Sequence, residues 1–415
     1  MRNPTFWWIL ALIMLLLDWY VFLSLKTVLQ NQTERIRFWT ITLHWVLAIF
    51  AMLMVLVFPY ASFLQDSPFF RNYIFAILVG LFLSKMIASL VFLTDDLRRG
   101  VSWLVLRIFS RGSQELESGS LHIPRSVFLS WLGLALGGTL FSSLLIGFRN
   151  KYNYQLKKIP LAFNNLPAAF KGLKIAHISD IHIGSLQDRK AVEAGVELIM
   201  KQRPDIVLFT GDLVNNKASE MDGWTDVFGR INAPLGVYSI LGNHDYGDYV
   251  AWPSQGAKEN NLSTLKQIHA GMGWRLLMNE HVLLERGGEK IALLGIENWG
   301  AKGRFPKYGK MQEAYPGTEK VPFKILMSHD PSHWDAQVKT EYADIDLMLS
   351  GHTHGMQFGM ENPFFKWSPV QWMYRQWAGL YEDGQQKLYV NRGFGFIGYP
   401  GRVGILPEIT LLELV

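Results

Sequence analysis

Four long apolar stretches occupy the first 150 residues and restrict the possible folds of this chain more than any other feature. They cover residues 6–25, 38–60, 73–94 and 126–148. A helix rises about 1.5 Å per residue, so each stretch is long enough to cross roughly 30 Å of hydrocarbon. The first stretch contains Asp18 and lacks a small-residue cleavage site, which argues against a signal peptide. We therefore expect residues 1–150 to form an all-α region of four transmembrane helices.

Three ionisable residues, Asp18, His44 and Lys85, lie inside these stretches. If the first and third helices are parallel and the second is antiparallel, the three residues lie at similar depth. Because charge in hydrocarbon is costly, one interpretation is a contact between Asp18 and Lys85 inside the bundle, with His44 nearby. The alternative is that Lys85 extends its ammonium group to the interface while the other two face water.

Residues 97–109 follow the third stretch and have an apolar helical face, with arginines elsewhere around the axis. This face consists of Leu97, Val101, Leu104 and Ile108. The pattern predicts a helix lying on the membrane surface, with a solvated loop as the alternative.

Basic residues indicate the orientation of the chain in the membrane. An even number of spans places the N-terminus and residues 151–415 on the same side. Loops one and three contain eight basic residues, namely Lys26, Arg35, Arg37, Arg98, Arg99, Arg107, Arg111 and Arg125. The other side has six, namely Arg2, Arg71, Arg149, Lys151, Lys157 and Lys158. Because basic residues favour the cytoplasmic side, this excess predicts that loops one and three are cytoplasmic and that residues 151–415 are extracytoplasmic. We expect the membrane to be a bacterial inner membrane.

The overall composition argues against some classes of protein. The net charge is +5, but no dense Lys/Arg run with interleaved aromatic residues occurs, so we expect basic membrane flanks rather than a nucleic-acid partner. The chain has no cysteine, which excludes disulfides and thiolate metal sites and leaves the redox compartment undetermined. No pattern predicts the oligomeric state.

Residues 151–415 have the pattern of a globular domain. Short apolar runs predict buried strands at residues 173–179, 206–210, 237–241, 290–295, 323–328 and 345–350. Helix-length segments such as 188–202 and 262–270 lie between several of them. This alternation predicts an α/β fold in which helices cover a sheet.

Five of these predicted strands are followed by residues that can bind a metal. The motifs are Asp180-Ile181-His182, Gly211-Asp212, Gly242-Asn243-His244-Asp245, Ser328-His329-Asp330 and Gly351-His352-Thr353-His354. Singly, several could be polar turns or helix caps. The His-x-His motif is more specific, because an extended segment directs both rings to one face. Oxygen and nitrogen donors without a thiolate suit two divalent ions such as Mn, Fe or Zn.

In this order the five motifs resemble those of the calcineurin-like metallophosphoesterase superfamily, whose series is Asp-x-His, Gly-Asp, Gly-Asn-His-Asp/Glu, His and Gly-His-x-His. The resemblance covers about residues 153–415 and is strongest to the membrane-associated bacterial branch, which is similar to transmembrane proteins with a metallophosphoesterase domain. Segments 378–381, 391–395 and 407–410 support it. It implies a two-sheet αββα sandwich.

The resemblance also implies roles for individual residues. Asp180, His182 and His354 would bind one metal, Asn243, His329 and His352 the other, and Asp212 would bridge them. His244 would approach the phosphate and the leaving-group oxygen, oriented by Asp245. One departure is Met356, where that branch usually has a glycine; the larger side chain is expected to narrow the substrate cleft.

The predicted function is hydrolysis of phosphate monoester, diester or pyrophosphate bonds by a membrane-anchored, binuclear enzyme. An aromatic stretch around Trp367, Trp372, Tyr374 and Trp377, with Lys366 and Arg375, suits a membrane interface and a lipid-linked substrate, although the same aromatic residues could cover the core.

Three alternatives remain open at this level. A UDP-2,3-diacylglucosamine-type pyrophosphate hydrolase of lipid A synthesis would require a cytoplasmic domain. A non-catalytic metal-binding scaffold would fit a degenerate site, but the ligands and His244 are all present. The hypothesis of a transporter depends on Asp18, His44 and Lys85 alone. The apolar stretches lack Gly/Pro interruptions at matching positions, which would indicate the discontinuous helices of many transporters.

Overall fold

The chain divides into two units, residues 1–146 and 147–415. The computed structural model describes residues 4–58, 60–61, 70–109, 125–303 and 305–415. Arg2 and Arg111, which contribute to the predicted charge bias, lie outside these residues.

Four long helices form the first unit: α1 (Pro4–Val28), α2 (Glu34–Val57), α3 (Phe75–Phe109) and α4 (Val127–Gly147), with a π-helical turn, Phe70–Ile74, before α3. All four are long and apolar enough to cross a membrane, which confirms the predicted transmembrane region. Large apolar side chains are exposed along them, as expected of helices surrounded by lipid rather than by a protein core.

Helix α3 is longer than the third predicted span because it includes residues 97–109 without a break. The prediction of a helix there is confirmed and the solvated-loop alternative is wrong. The location of this part of the helix on the membrane surface stays a prediction. Ion pairs one turn apart lie at the junction: Asp95 with Arg98 at 2.9 Å and Asp96 with Arg99 at 2.8 Å. Such i,i+3 pairs stabilise a helix and favour its continuation.

The three ionisable residues of the spans lie together inside the first unit. Lys85 Nζ is 2.5 Å from Asp18 Oδ1, and Asp18 is buried. His44 Nε2 lies 3.1 Å from the backbone oxygen of Asp18. The predicted contact between Asp18 and Lys85 with His44 nearby is confirmed, and each charged group has a partner that lowers the cost of burying it.

The second unit contains fourteen strands and five α-helices in the described residues, besides short 3₁₀ and π-helical turns. The strands are β1 (Gln155–Leu161), β2 (Lys174–Ile178), β3 (Ile206–Phe209), β4 (Val237–Ser239), β5 (Trp274–Leu276), β6 (Glu280–Arg286), β7 (Glu289–Gly295), β8 (Lys324–Met327), β9 (Leu347–Ser350), β10 (Met360–Glu361), β11 (Lys366–Trp367), β12 (Gly379–Asp383), β13 (Gln386–Val390) and β14 (Glu408–Leu414). The helices are α5 (Arg189–Lys201), α6 (Thr225–Phe228), α7 (Gln255–Gly271), α8 (Met311–Ala314) and α9 (Lys339–Glu341).

Two six-stranded sheets form the centre of this unit. Their strand orders are β1-β14-β2-β3-β4-β5 and β12-β13-β9-β8-β7-β6. One apolar core contains residues of both sheets, for example Leu208 and Leu349, so the sheets pack face to face. Two further cores lie on the outer faces, where helices such as α5 and α8 cover the sheets. This arrangement is the expected αββα sandwich.

The alternation of side chains within the strands explains the layers. In β3, Ile206 and Leu208 belong to the core between the sheets, whereas Val207 and Phe209 belong to the core under the helices. Both faces of such a strand are buried, so the strand is apolar throughout and ends where polar residues begin. The six predicted strands are all present. Five of them are one or two residues shorter than predicted, and β7 is one residue longer.

Candidate active site

The five polar motifs meet at one edge of the sandwich because their strands are parallel neighbours. Strands β2, β3 and β4 are adjacent and parallel in the first sheet, and β8 and β9 are adjacent and parallel in the second. Parallel strands end at the same edge, so the loops after them converge. Two groups of potential metal ligands result.

The first group contains Asp180, His182 and His354, whose ligand atoms lie within 4.8 Å of one another. His354 Nε2 is 3.2 Å from Asp180 Oδ1, and His182 Nε2 is 4.0 Å from the same oxygen. The two imidazole rings are stacked, with 4.9 Å between their centroids. All three residues are buried.

The second group contains Asp212, His329 and His352. His329 Nε2 is 3.2 Å from Asp212 Oδ2, and its Nδ1 lies 2.7 Å from the carbonyl oxygen of Thr210. Asn243 Oδ1 is 2.8 Å from His352 Nδ1, which places the carboxamide in this group as well. The structure therefore brings all seven predicted ligands together.

Asp212 lies between the two groups. Its Oδ2 is 3.4 Å from His182 Nε2 in the first group and 3.2 Å from His329 Nε2 in the second. Burial raises the pKa of Asp212, but the surrounding histidines outweigh it, beginning with His329, and hold this pKa well below its ordinary value. Asp212 is thus a carboxylate placed to contact both groups at once.

Several ring nitrogens at this edge are suited to a metal ion. Within the described part of the chain, both nitrogens of His182, Nε2 of His329 and Nε2 of His354 are buried and have no hydrogen-bond partner. Buried polar atoms without a partner are rare, and a bound cation would satisfy them. The carbonyl of Thr210 can only accept, so His329 Nδ1 donates to it and leaves Nε2 as the ligand atom.

The backbone at the site is held in an unusual conformation. Five of the seven residues have positive φ angles, namely Asp180 (52°), His182 (47°), Asp212 (61°), His352 (71°) and His354 (49°). Left-handed backbone is costly for residues other than glycine and is typical of functional sites. Glycines allow the close approach of the loops: a Cβ on Gly242 would lie 2.2 Å from Asp212 Oδ1.

Comparisons with known proteins agree with this geometry. Residues 173–356 match the family described as calcineurin-like phosphoesterase, and residues 1–151 match the family described as probable calcineurin-like phosphoesterase, transmembrane domain. The chain is 30% identical over 258 residues to the uncharacterized metallophosphoesterase YkuE of Bacillus subtilis, covering 60% of this chain and 81% of the relative. The chain belongs to the calcineurin-like metallophosphoesterase family.

Two other relatives of this metallophosphoesterase carry informative names. The transmembrane protein with metallophosphoesterase domain of Danio rerio is 30% identical over 271 residues, which cover 62% of this chain and 56% of the relative. The alignment therefore spans about half of that longer protein. Phosphodiesterase YaeI of Escherichia coli is 27% identical over 266 residues, which cover 63% of this chain and 88% of the relative.

His244 lies beside the two ligand groups of the metallophosphoesterase site and belongs to neither. Its backbone N–H donates to Asp212 Oδ1 at 2.9 Å, and its Nδ1 lies 2.8 Å from the carbonyl oxygen of Asn215. The ring is 5.0 Å from that of His182 and 4.7 Å from that of Tyr249, centroid to centroid. It is only partly buried, so a substrate can reach it.

Asp245 has different contacts from those that the resemblance implied. Its carboxylate accepts four backbone N–H groups, from Asp212 and Gly242 on Oδ2 and from Leu213 and Val214 on Oδ1, at 2.8 to 3.1 Å. The ring of His244 is oriented by the Asn215 carbonyl instead. The orienting role expected for Asp245 is therefore corrected: it fixes the loop that carries Asp212.

The departure at Met356 has a structural consequence. Met356 has φ 55° and ψ 14°, in the left-handed region that favours glycine. Its side chain is 54% exposed, so little packing offsets the strained backbone. A glycine would adopt this conformation without strain.

Three residues that contact the site were not singled out as site residues from the sequence. Arg402 is completely buried, and its Nη2 lies 3.2 Å from His354 Nδ1. The hydroxyl of Tyr374 is 2.9 Å from His352 Nε2, and Asn243 Nδ2 donates to the hydroxyl of Tyr249 at 2.8 Å. Arg402 lies in no recognisable motif. Tyr249 could have been noticed because it follows the third motif by only four residues.

Proposed function

We propose that this chain is a membrane-anchored phosphoesterase that uses two divalent metal ions to hydrolyse phosphate monoester, diester or pyrophosphate bonds. The observation that carries the proposal is the position of Asp212 Oδ2, 3.4 Å from His182 Nε2 and 3.2 Å from His329 Nε2. One carboxylate oxygen thus lies between two groups of buried donors, as a bridging ligand requires. The relative named as a phosphodiesterase supports the diester class.

Asp180, His182 and His354 would hold one ion, Asn243, His329 and His352 the other, and Asp212 both. When bound, Mn, Fe or Zn would supply the Lewis acidity that activates water and offsets the negative charge of the phosphate. The protein's own contribution is to keep the ligands in place before the ions arrive. The Thr210 carbonyl holds His329, and the backbone N–H of His352 donates to Asp180 Oδ2 at 3.0 Å.

His244 would act as the general acid. Since its Nδ1 donates to the Asn215 carbonyl, Nε2 is the atom that gives a proton to the leaving-group oxygen. The hydrogen bond at Nδ1 persists when Nε2 loses its proton, so the ring keeps its orientation. Asp245 acts as a positioning residue, because its contacts are to the backbone around Asp212 and not to the His244 ring.

The test is a turnover assay of the full-length protein loaded with Mn²⁺ or Zn²⁺. The substrates are bis-p-nitrophenyl phosphate and p-nitrophenyl phosphate. We expect metal-dependent turnover of at least one ester, abolished by Asp212→Asn and retained by Asp222→Asn, which changes an exposed carboxylate outside the site. Metal binding without turnover of either ester or of a lipid pyrophosphate would contradict the proposal and favour a metal-binding scaffold.

We also propose that the second unit lies on the extracytoplasmic side of a bacterial inner membrane. The support is the excess of basic residues in loops one and three over the opposite side. A reporter fused after Val415 tests this directly: alkaline phosphatase should be active there and green fluorescent protein should be dark. The reverse result would contradict the orientation and favour a cytoplasmic pyrophosphate hydrolase acting on a lipid-linked sugar nucleotide.

A further inference from the structure

Exposed apolar side chains of the second unit gather in one segment, residues 356–373, which we call the docking segment. Its exposed members are Met356 (54%), Met360 (56%), Phe364 (98%), Phe365 (50%), Trp372 (75%) and Met373 (60%). Elsewhere among the described residues of this unit, the exposed large apolar residues are Tyr249, Leu283, Leu380 and Val415, which are scattered along the chain. A concentrated apolar surface of this kind marks an interaction site.

The exposure is built into the fold of the segment. Strands β10 and β11 pair as a hairpin in which Met360 is opposite Trp367. At the turn, the side chain of Asn362 accepts the backbone N–H groups of Phe364 at 2.9 Å and Phe365 at 2.8 Å. These hydrogen bonds hold Phe364 at the tip with its ring in solvent. Only part of the predicted aromatic stretch is exposed, because Tyr374 and Trp377 are buried with Val370.

The segment begins close to the point where the chain leaves its last membrane helix. The N–H of Gly359 donates to the carbonyl of Val403 at 2.9 Å, and Phe358 pairs with Val403. The preceding residue, Arg402, donates its N–H to the carbonyl of Gly147 at 2.9 Å. Gly147 is the last residue of α4, a candidate membrane span. Within the second unit, residues 402–403 therefore connect the docking segment to Gly147, the point where the chain leaves that span.

The composition of the segment suits a lipid surface. Its one acidic residue, Glu361, is paired with Arg392, whose Nη2 lies 2.6 Å from Glu361 Oε1. The exposed residue that follows the segment by two positions is Arg375, a cation that suits anionic headgroups. Exposed Trp and Phe side chains next to a basic residue are typical of the membrane interface.

The segment is also connected to the ligand groups. His354 precedes it by two residues, and Ser368 within it donates its hydroxyl hydrogen to the carbonyl of Gly355 at 2.8 Å. Directly after it, the hydroxyl of Tyr374 lies 2.9 Å from His352 Nε2. A lipid surface bound to the docking segment would therefore lie close to the candidate metal ligands.

We propose that residues 356–373 insert into the lipid surface and present the active site to phosphate esters carried on membrane lipids. The substrate class rests on the proposed function, whereas the insertion does not. The bilayer is the occupant that the composition of the segment favours, because exposed Trp and Phe side chains near a basic residue are typical of the membrane interface. Within the second unit, the segment also adjoins the residues that contact Gly147, where the chain leaves a candidate span.

Site-directed spin labelling tests the insertion. The chain has no cysteine, so Phe364→Cys carries the only label, and Leu283→Cys on β6, 44% exposed, is the matched control. The full-length protein is placed in nanodiscs of phosphatidylcholine and phosphatidylglycerol. We expect the label at 364 to collide with oxygen and to be shielded from a water-soluble nickel chelate, with the reverse at 283. Equal nickel access at both positions would overturn the proposal, as would shielding from both reagents at 364, which indicates a protein partner.

The substrate class is tested on the same nanodiscs. In the Phe364→Ser, Trp372→Ser double variant we expect the ratio of phosphatidylglycerol hydrolysis to bis-p-nitrophenyl phosphate hydrolysis to fall about tenfold or more, because buried apolar area is lost. Leu283→Ser should leave the ratio unchanged. An unchanged ratio in the double variant, or no hydrolysis of lipid esters by the wild type, would overturn the substrate class. An inserted label without turnover of any ester would contradict the proposed function alone.

Discussion

His244 Nδ1 lies 2.8 Å from the carbonyl oxygen of Asn215. A carbonyl can only accept, so this contact fixes the tautomer of the imidazole and leaves Nε2 for chemistry. The carbonyl is itself held in place, because the carboxylate of Glu220 accepts the N–H groups of Asn215 at 2.6 Å and Asn216 at 3.1 Å. The ring of His244, the proposed general acid, is therefore oriented by backbone, which has fewer ways to move than a side chain.

Replacing His244 should remove catalysis and leave the metals bound. For His244→Ala and His244→Asn we expect turnover to fall on the order of 10²- to 10⁴-fold, which is the usual contribution of a general acid. Metal content, measured by plasma mass spectrometry, should stay near wild type. His182→Ala is the contrasting variant and should lose metal. Metal loss in the His244 variants would instead make His244 a ligand.

Replacing Asp245 should affect metal binding more than proton transfer. In Asp245→Asn an NH₂ group faces two backbone N–H groups in place of an oxygen, so two hydrogen bonds are lost and the Asp212 loop loosens. We expect lower metal content and a lower melting temperature. Asp248→Asn, in the same loop but paired with Lys258, should keep its metal. Normal metal content in Asp245→Asn would return Asp245 to a role in orienting His244.

The ion pair inside the membrane unit should show strong coupling. Asp18→Asn and Lys85→Met each leave one buried group without its partner, which costs about 3 to 5 kcal/mol. The double variant removes both charges and should be less destabilised than the sum of the two. Unfolding of the full-length protein in detergent measures the cycle. Strict additivity would contradict a stabilising contact between Asp18 and Lys85.

Met356→Gly should stabilise the second unit. The residue adopts φ 55°, so removing Cβ relieves strain of roughly 1 kcal/mol. Met356→Ala is the control: it also loses the exposed thioether but keeps Cβ, and with it the backbone strain. We expect a higher melting temperature for the glycine variant than for the alanine variant. If both melt alike, the left-handed conformation carries no measurable cost.

Acid should destabilise the second unit partly through His269. Burial lowers the pKa of His269 to about 3, from 6.5 when exposed. Between pH 6.5 and 3 the unfolded chain therefore binds a proton at His269 that the folded chain does not. The free energy of unfolding has its full contribution from neutral His269 above pH 6.5, and it decreases as the pH falls toward 3. At pH 5 the loss is about 2 kcal/mol. Melting temperatures at pH 7.5 and 5 should differ less in His269→Gln, and an unchanged difference would contradict the assignment.

Local sequence patterns predicted most of the fold and the candidate ligands. Helices, strands and motifs are set by residues close to one another in the chain, so a local pattern is sufficient to find them. The span of α1 follows from apolar length, and β3 follows from a run that is buried on both faces. Each motif follows its strand directly, and the parallel pairing of β2 and β3 brings Asp180 and Asp212 to the same edge of the sheet. Patterns do not reveal contacts between distant segments, which is why the contact of Arg402 with His354 was missed.

The sequence by itself determined four membrane spans, an α/β unit and seven candidate metal ligands at strand ends, because periodicity and motif order are properties of the chain. Only the tertiary structure decided that Asn215 rather than Asp245 orients His244, and that Asp245 holds the Asp212 loop. It also decided which aromatic residues are buried, Trp377, and which are exposed, Trp372. The physical reason is that hydrogen-bond partners and exposure depend on which distant segments pack together.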